Sequence, residues 1–174
     1  MEIEELSELV RLHGKALYGF CYKLAGNKAD ADDLYQETFL KAVELRHRMD
    51  ADRNAKGFLV AIAIRLRKNS RRKWAWRRRI APTAAFDEAA GGNAATNATV
   101  ALEHEVLSRE LRGAVQAAVD GLEDKLKIPL YMHYTADMSI DEIAAALRIP
   151  SGTVKSRLHK ARMKMKKRLE VETR

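Results

Sequence analysis

Apolar residues recur along this chain at intervals of three and four, the signature of helices that bury one face. Leu6, Leu9, Val10, Leu17, Phe20, Cys21 and Leu24 make the first such series over residues 3–25, and Gly26-Asn27 supplies a stop. A second helix is predicted from near Asp30, with acids in the first turn where the helix dipole favours them. Its inner face carries Leu34, Tyr35, Thr38, Phe39, Ala42 and Leu45, and its outer face Asp33, Gln36, Glu37, Leu40 and Glu44. A third helix is predicted from about Ala55 to the Trp74–Trp76 region. Phe58, Leu59, Ile62, Ala63 and Leu66 point inward; Arg65, Arg67, Lys68, Arg71 and Arg72 project outward or flank that face, and Val60 and Ile64 also fall outside.

The period is lost over residues 80–100, where Ala, Gly, Asn and Thr dominate and a flexible linker is expected. It resumes with Leu102, Val106, Leu111, Val115 and Val119, then Leu122, Leu126, Leu130 and Tyr131. The last stretch, Ser139 to Leu169, reads as two helices joined by a tight turn. Ser139 and Glu142 have capping-box spacing, and Arg148-Ile149-Pro150 forms the turn, since proline disfavours helix in the residue before it and suits a helix start. Ser151 is a candidate cap for the helix that follows. Val154, Leu158, Ala161, Met165 and Leu169 form one buried stripe, opposite Ser156, His159, Lys160, Met163 and Lys167, with Lys155 and Arg162 at the flanks. The predicted fold class is all-α: two small helical domains, residues 1–79 and 101–174, joined by the linker at 80–100, with a helix-turn-helix in the C-terminal one.

Charge sharpens this picture. The chain has 174 residues, a net charge of +8 and a pI near 9.7, which favours a polyanionic partner. The excess is concentrated: residues 51–80 carry +10 and residues 151–174 carry +7, while 1–50 and 81–150 carry −3 and −6. Two separate nucleic-acid contacts are the natural reading. Neither a membrane-spanning apolar run nor a signal-peptide pattern is present, so a soluble cytoplasmic protein is expected. The single cysteine, Cys21, sits among apolar neighbours and reads as a buried structural thiol. Asp30, Asp32, Asp33 and Glu37 lack the loop and glycine of a calcium site, so no metal and no cofactor is expected.

Three surfaces carry candidate chemistry, each with a plainer alternative. The Ser139–Leu169 hairpin suits a recognition helix entering the DNA major groove, with Gly152 where a side chain could obstruct approach to phosphate; it also suits an ordinary amphipathic hairpin. Trp74 and Trp76 interleaved with bases suit single-stranded nucleic acid, whose exposed bases stack on rings, or else they close the core. Leu40 among acids and amides suits protein docking, or is a stray exposed leucine.

The order of these motifs resembles one family. ADDLYQETFLKA at Ala31–Ala42, FLVAIAIRLRKNSRRK at Phe58–Lys73 and IPSGTVKSRLHKAR at Ile149–Arg162 resemble strings of the extracytoplasmic-function (ECF) sigma factors of the bacterial sigma-70 superfamily. The resemblance implies that 1–79 is sigma region 2 and 101–174 is region 4. It implies that Asp33, Gln36, Glu37 and Leu40 face the clamp of core RNA polymerase. Arg65, Lys68, Asn69, Arg71, Arg72 and Trp74 would lie by the single-stranded −10 element. Ser151, Gly152, Thr153, Lys155, Ser156, Arg157, His159 and Lys160 would lie at or near the duplex −35 element. It further implies control by an anti-sigma factor that covers these faces, with which an exposed Val60 and Ile64 are compatible. This sequence departs from the family in having Phe58 where tryptophan is common, Arg65 where asparagine is usual and Arg148 at the usual glycine of the turn. A short helix that often precedes the equivalent of residues 3–25 is expected to be missing.

A stand-alone helix-turn-helix regulator would explain the hairpin but neither the Leu40 face nor the +10 block. An enzyme is not expected: His13, His47, His104, His133 and His159 are scattered, and no glycine-rich phosphate loop or nucleophile–base motif can be read.

Overall fold

A computed structural model describes residues 3–49, 51–80 and 102–172. Seven α-helices account for almost all of them: α1 (Ile3–Ala25), α2 (Lys28–Glu44), α3 (Ala51–Ile80), α4 (Leu102–Asp120), α5 (Asp124–Tyr134), α6 (Ile140–Leu147) and α7 (Ser151–Glu172). A single 3₁₀ turn at Arg46–Arg48 links α2 towards α3.

The joints follow from local chemistry. Gly26 adopts φ +86°, a left-handed position that glycine takes without Cβ strain, and Asn27 then caps α2 by accepting from Asp30 N–H at 2.9 Å. In α3 the helical geometry breaks at Asn54 (φ −173°), whose Oδ1 accepts from Gly57 N–H at 2.8 Å. The continuous helix therefore starts at Ala55, as the pattern predicts. It runs on to Ile80, one residue into the expected linker. In α6 the Ser139–Glu142 capping box is complete: Ser139 N–H donates to Glu142 Oε2 at 2.7 Å and Glu142 N–H to Ser139 Oγ at 3.2 Å. Arg148 ends α6 in the left-handed region at φ 54°, the conformation for which the usual glycine is suited.

In the first half α1, α2 and α3 pack on one another around Leu17, Phe20, Leu34, Leu59, Ile62 and Ala63, all buried. Gly14 permits the close approach of α1 to α2, since a Cβ there would lie 2.8 Å from Tyr35 Oη. Thr38 is buried but satisfied, its Oγ1 donating to Leu34 C=O at 2.6 Å. Burial pushes the Cys21 thiol up to about 12, consistent with an inert structural role.

In the second half α7 is the spine, packed on α4, α5 and α6 through Val154, Leu158 and Ala161. Full burial of a Val or Leu side chain is worth about 1.5–3 kcal/mol. Arg168 fastens the far end of α7 to the end of α4, donating to Ala118 C=O at 2.9 Å and Gly121 C=O at 2.8 Å.

Several positions differ from the sequence reading. Val10 and Leu111, placed in apolar series, are exposed. Both lie on the buried side of the wheel, Val10 in line with Leu17 and Leu111 with Ala118 and Leu122, so the helical repeat marks the face correctly but not how far along the helix the packing extends. More consequentially, Val60 and Ile64 are buried, at 0% and 9% exposure. They do lie off the Leu59–Ile62–Ala63 stripe, but the second half covers them. α3 packs against α6, and the two residues belong to one continuous core with Met138 and Ile143.

Candidate nucleic-acid and polymerase interfaces

On the N-terminal part of α7 the core stripe fixes which side chains face solvent. Val154, Leu158 and Ala161 are fully inside, which leaves Gly152, Lys155, Ser156, His159 and Lys160 exposed and Ser151, Thr153 and Arg157 half-buried. Among the described residues no hydrogen bond or ion pair engages the side chains of Lys155, Ser156, Arg157, His159 or Lys160. A Cβ at Gly152 would meet nothing within 4 Å, so the fold itself does not demand glycine there. Ser151 corrects an expectation: its Oγ does not cap α7 but donates to Asp141 Oδ1 at 2.8 Å, while Pro150 C=O accepts from the N–H groups of Thr153 and Val154. The bond between Ser151 and Asp141 staples the start of α7 to the first turn of α6. Asp141 was missed in the sequence; its only signal was an acid beside the capping box.

A second basic surface lies on α3. Arg65, Lys68, Asn69, Arg71, Arg72 and Lys73 are exposed. Trp76 is 64% exposed, so it does not close the core. Trp74 lies in α3, but its side chain is outside the described residues. This surface is not wholly free: Arg71 donates to Asp124 Oδ2 at 2.7 Å, and Arg67, half-buried, donates to Ala25 C=O at 3.4 Å.

The third surface is the outer face of α2. Leu40 is 68% exposed, with Asp33, Gln36 and Glu37 exposed one and two turns before it. Neighbouring acids are already committed to the fold. Asp30 pairs with Asn27, and Asp32 accepts from Lys28 Nζ at 2.8 Å and Tyr18 Oη at 2.7 Å, bonds that hold its carboxyl below its ordinary value. Asp33 and Glu37 have no such partner among the described residues. No grouping of three or more His, Cys, Asp or Glu able to hold a metal occurs among the described residues.

The fold thus presents two helical units, each with a basic helix, the second a helix-turn-helix. Comparison with known proteins assigns them: the family model for sigma-70 region 2 matches residues 9–78, and that for sigma-70 region 4 matches residues 112–165. The ECF RNA polymerase sigma factor SigW of Bacillus subtilis is 30% identical over 173 residues, covering 95% of this chain and 89% of SigW. SigE of Mycolicibacterium smegmatis, also an ECF sigma factor, is 30% identical over 159 residues, covering 91% of this chain and 59% of that protein. The chain belongs to the ECF sigma factors of the sigma-70 family. Among solved structures, the sigma factor RpoE bound to the anti-sigma factor NepR from Bartonella quintana shares the fold. Its TM-score is 0.76 at 21% identity, over 97% of this chain and 99% of RpoE. CnrH, in complex with the cytosolic domain of CnrY, shares it at a TM-score of 0.66 and 22% identity, over 95% of this chain and 88% of CnrH. No helix among the described residues is long and apolar enough to cross a membrane.

Proposed function

We propose that this sigma factor docks on the core polymerase clamp through Asp33, Gln36, Glu37 and Leu40. It then places the α7 residues Ser151 to Lys160 on duplex −35 DNA and captures the unpaired −10 strand along α3 with Arg65, Lys68, Asn69, Arg71, Arg72 and Trp74. The observation that carries this reading is the separation of roles by exposure. A large apolar side chain, Leu40, stands alone on an acidic face, while the basic residues stand on two other helices. An interface with an apolar centre and polar rim suits a protein, whereas unpaired Lys and Arg suit phosphate.

On α7 the lysines set affinity and register through phosphates, and the first turns reach base edges in a groove about 12 Å wide. On α3 the exposed Trp76 offers a ring on which an unstacked base can sit, worth about 1–3 kcal/mol per base, against an unstacking cost of a few kcal/mol. No covalent step is involved; initiation is specified by binding. An anti-sigma factor is a further expected partner, since RpoE was solved with the anti-sigma factor NepR bound.

Reconstitution tests the reading. Purified core polymerase plus this chain should yield transcripts from a cognate promoter, and core alone should not. Leu40→Asp should weaken polymerase binding at least ~30-fold, the scale of a lost interface hot spot of about 2 kcal/mol, with the melting temperature unchanged. Wild-type polymerase affinity in that variant would remove α2 from the docking surface.

A further inference from the structure

The N-terminal part of α7 is held to the core along one line. Between Ser151 and Ala161 the buried residues are Val154, Leu158 and Ala161, spaced four and three. Apolar contacts in a line keep a helix from lifting away, but burial is non-directional and leaves the helix free to roll about that line. The first turn, Ser151 to Thr153, lies ahead of the first buried contact, with Gly152 exposed and Ser151 and Thr153 half-buried. In a helix-turn-helix that first turn is the one brought to base edges. The part of α7 that reads is thus the part the core holds least.

One directional contact is made there. Ser151 Oγ donates to Asp141 Oδ1 at 2.8 Å, a normal length for a hydroxyl on an oxygen acceptor, and joins residues ten positions apart across the turn. Asp141 stands on a fixed base. Its helix, α6, is anchored by the complete capping box of Ser139 and Glu142, by Ile143, which is fully buried, and beyond its end by Ile149 N–H donating to Ala144 C=O at 3.1 Å.

Ser151 in turn heads a row of α7. Ser151, Lys155 and His159 follow at intervals of four and so lie one above another on the helix, with Lys155 and His159 exposed. Whatever fixes the azimuth of Ser151 fixes where those two side chains point. The tolerance is narrow, since a binding constellation has to be held within about 0.5 Å and 10–20° of its working geometry. A roll of about 20° moves a side-chain tip, about 5–6 Å from the helix axis, by about 2 Å. A lysine reaching for a phosphate absorbs such a shift through its flexible stem; a hydrogen bond to a base edge does not.

We propose that Asp141 is a positioning residue for −35 recognition: through Ser151 it sets the roll of α7, and so the sequence preference of a helix to which it does not belong. This role rests on the promoter reading assigned to α7 above, and the experiment separates the two.

Core polymerase with the full chain would transcribe a pool of promoters whose −35 segment is randomised, and sequencing the transcripts gives the preference at each base pair. Ser151→Ala removes the bond and leaves the carboxylate. Asp141→Ala removes both, and Asp141→Asn removes the charge but keeps an oxygen that can accept from Ser151. Ser151→Ala and Asp141→Ala should each lower the preference for the best base at one or more −35 positions by at least ~5-fold, the scale of one mismatched base pair, while Asp141→Asn stays within ~2-fold of the wild type.

Unchanged base preferences in Ser151→Ala and Asp141→Ala would overturn the proposal whatever happens to total transcription or melting temperature, because a contact that only supports the fold lowers both without re-aiming a side chain. Preferences in Asp141→Asn altered as far as in Asp141→Ala would overturn it too, since the bond would then not be what acts. A wild-type chain that transcribes with no preference among −35 sequences would instead strike the promoter reading of α7, and the role of Asp141 with it.

Discussion

The two basic helices of this protein meet their surroundings differently. The N-terminal part of α7 has spent its apolar side on Val154, Leu158 and Ala161 and presents Lys155, Ser156, His159 and Lys160 to solvent without a partner among the described residues. The basic side of α3 is divided: Lys68, Asn69 and Arg72 are exposed and unengaged among the described residues, whereas Arg71 is paired with Asp124 of α5 and Arg67 is turned to a helix end. Charge alone ranks α3 as the stronger nucleic-acid surface. Engagement reverses that ranking, because a cation already held by a protein acceptor must give up that bond to gain a phosphate. For the contacts proposed above, the α7 face is open as it stands, whereas part of the α3 face is already engaged.

Breaking the α7 side should have the largest effect. Leu158 is buried at the centre of the hairpin, and Leu158→Ala should cost about 2–5 kcal/mol through lost burial and a residual cavity. Because the core runs unbroken through both halves, calorimetry should show one transition moved down, and two separated transitions would refute the shared core. The contrast between exposed faces is probed more gently by Lys160→Ala and Lys68→Ala in the full chain without polymerase. Lys160→Ala should lower the slope of log affinity for duplex promoter against log salt by about one, uniformly across sequences. Lys68→Ala should leave that slope unchanged; a slope change of equal size for both would mean that α3 contacts duplex as freely as α7.

Much of this was legible in the sequence because helices declare their inner faces. The α2 and α7 wheels separated Leu34, Thr38 and Ala42 from Asp33, Glu37 and Leu40, and Val154, Leu158 and Ala161 from Lys155, His159 and Lys160, as the structure has them. The capping box could be read because both of its partners lie within four residues. Val60 and Ile64 could not be placed, since periodicity reports that a residue is off the main stripe but not whether a distant element covers it. Their burial depends on α6, far along the chain. Arg71–Asp124 and Lys56–Asp137 were invisible for the same reason, and the second of these uses a backbone carbonyl that no sequence pattern marks. Ser151 was misjudged through competition: its hydroxyl had two possible partners, and Asp141 won.

Arg148 offers a smaller and opposite test. It occupies the left-handed position at the end of α6, a conformation that costs a side-chain-bearing residue about 1–2 kcal/mol, and its backbone N–H still reaches Ala144 and Ala145 C=O. Arg148→Gly removes that strain but enlarges the conformational freedom of the unfolded chain, so a net gain of about 0.5–1 kcal/mol is expected, seen as a rise of a few degrees in melting temperature. Promoter preference should not change, because the Leu158 stripe and the Ser151–Asp141 staple fix the start of α7. A changed preference would give Arg148 a part in DNA reading.

The smallest expected effect tests the engaged side of α3. His13 of α1 is half-buried, with Lys56 of α3 and Glu142 of α6 as its charged neighbours. Burial depresses its pKa below the ordinary 6.5, Lys56 adds to the depression, and Glu142 opposes it. The folded chain therefore favours neutral His13. Its contribution to stability is complete above about pH 6.5 and is lost as the pH falls from there towards the depressed folded value. The melting temperature of the chain should fall as the pH is lowered through that window. His13→Gln should flatten that part of the profile. An unaltered profile in His13→Gln would show that His13 does not carry this pH dependence, leaving Lys56 to hold Asp137 regardless of the charge on its neighbour.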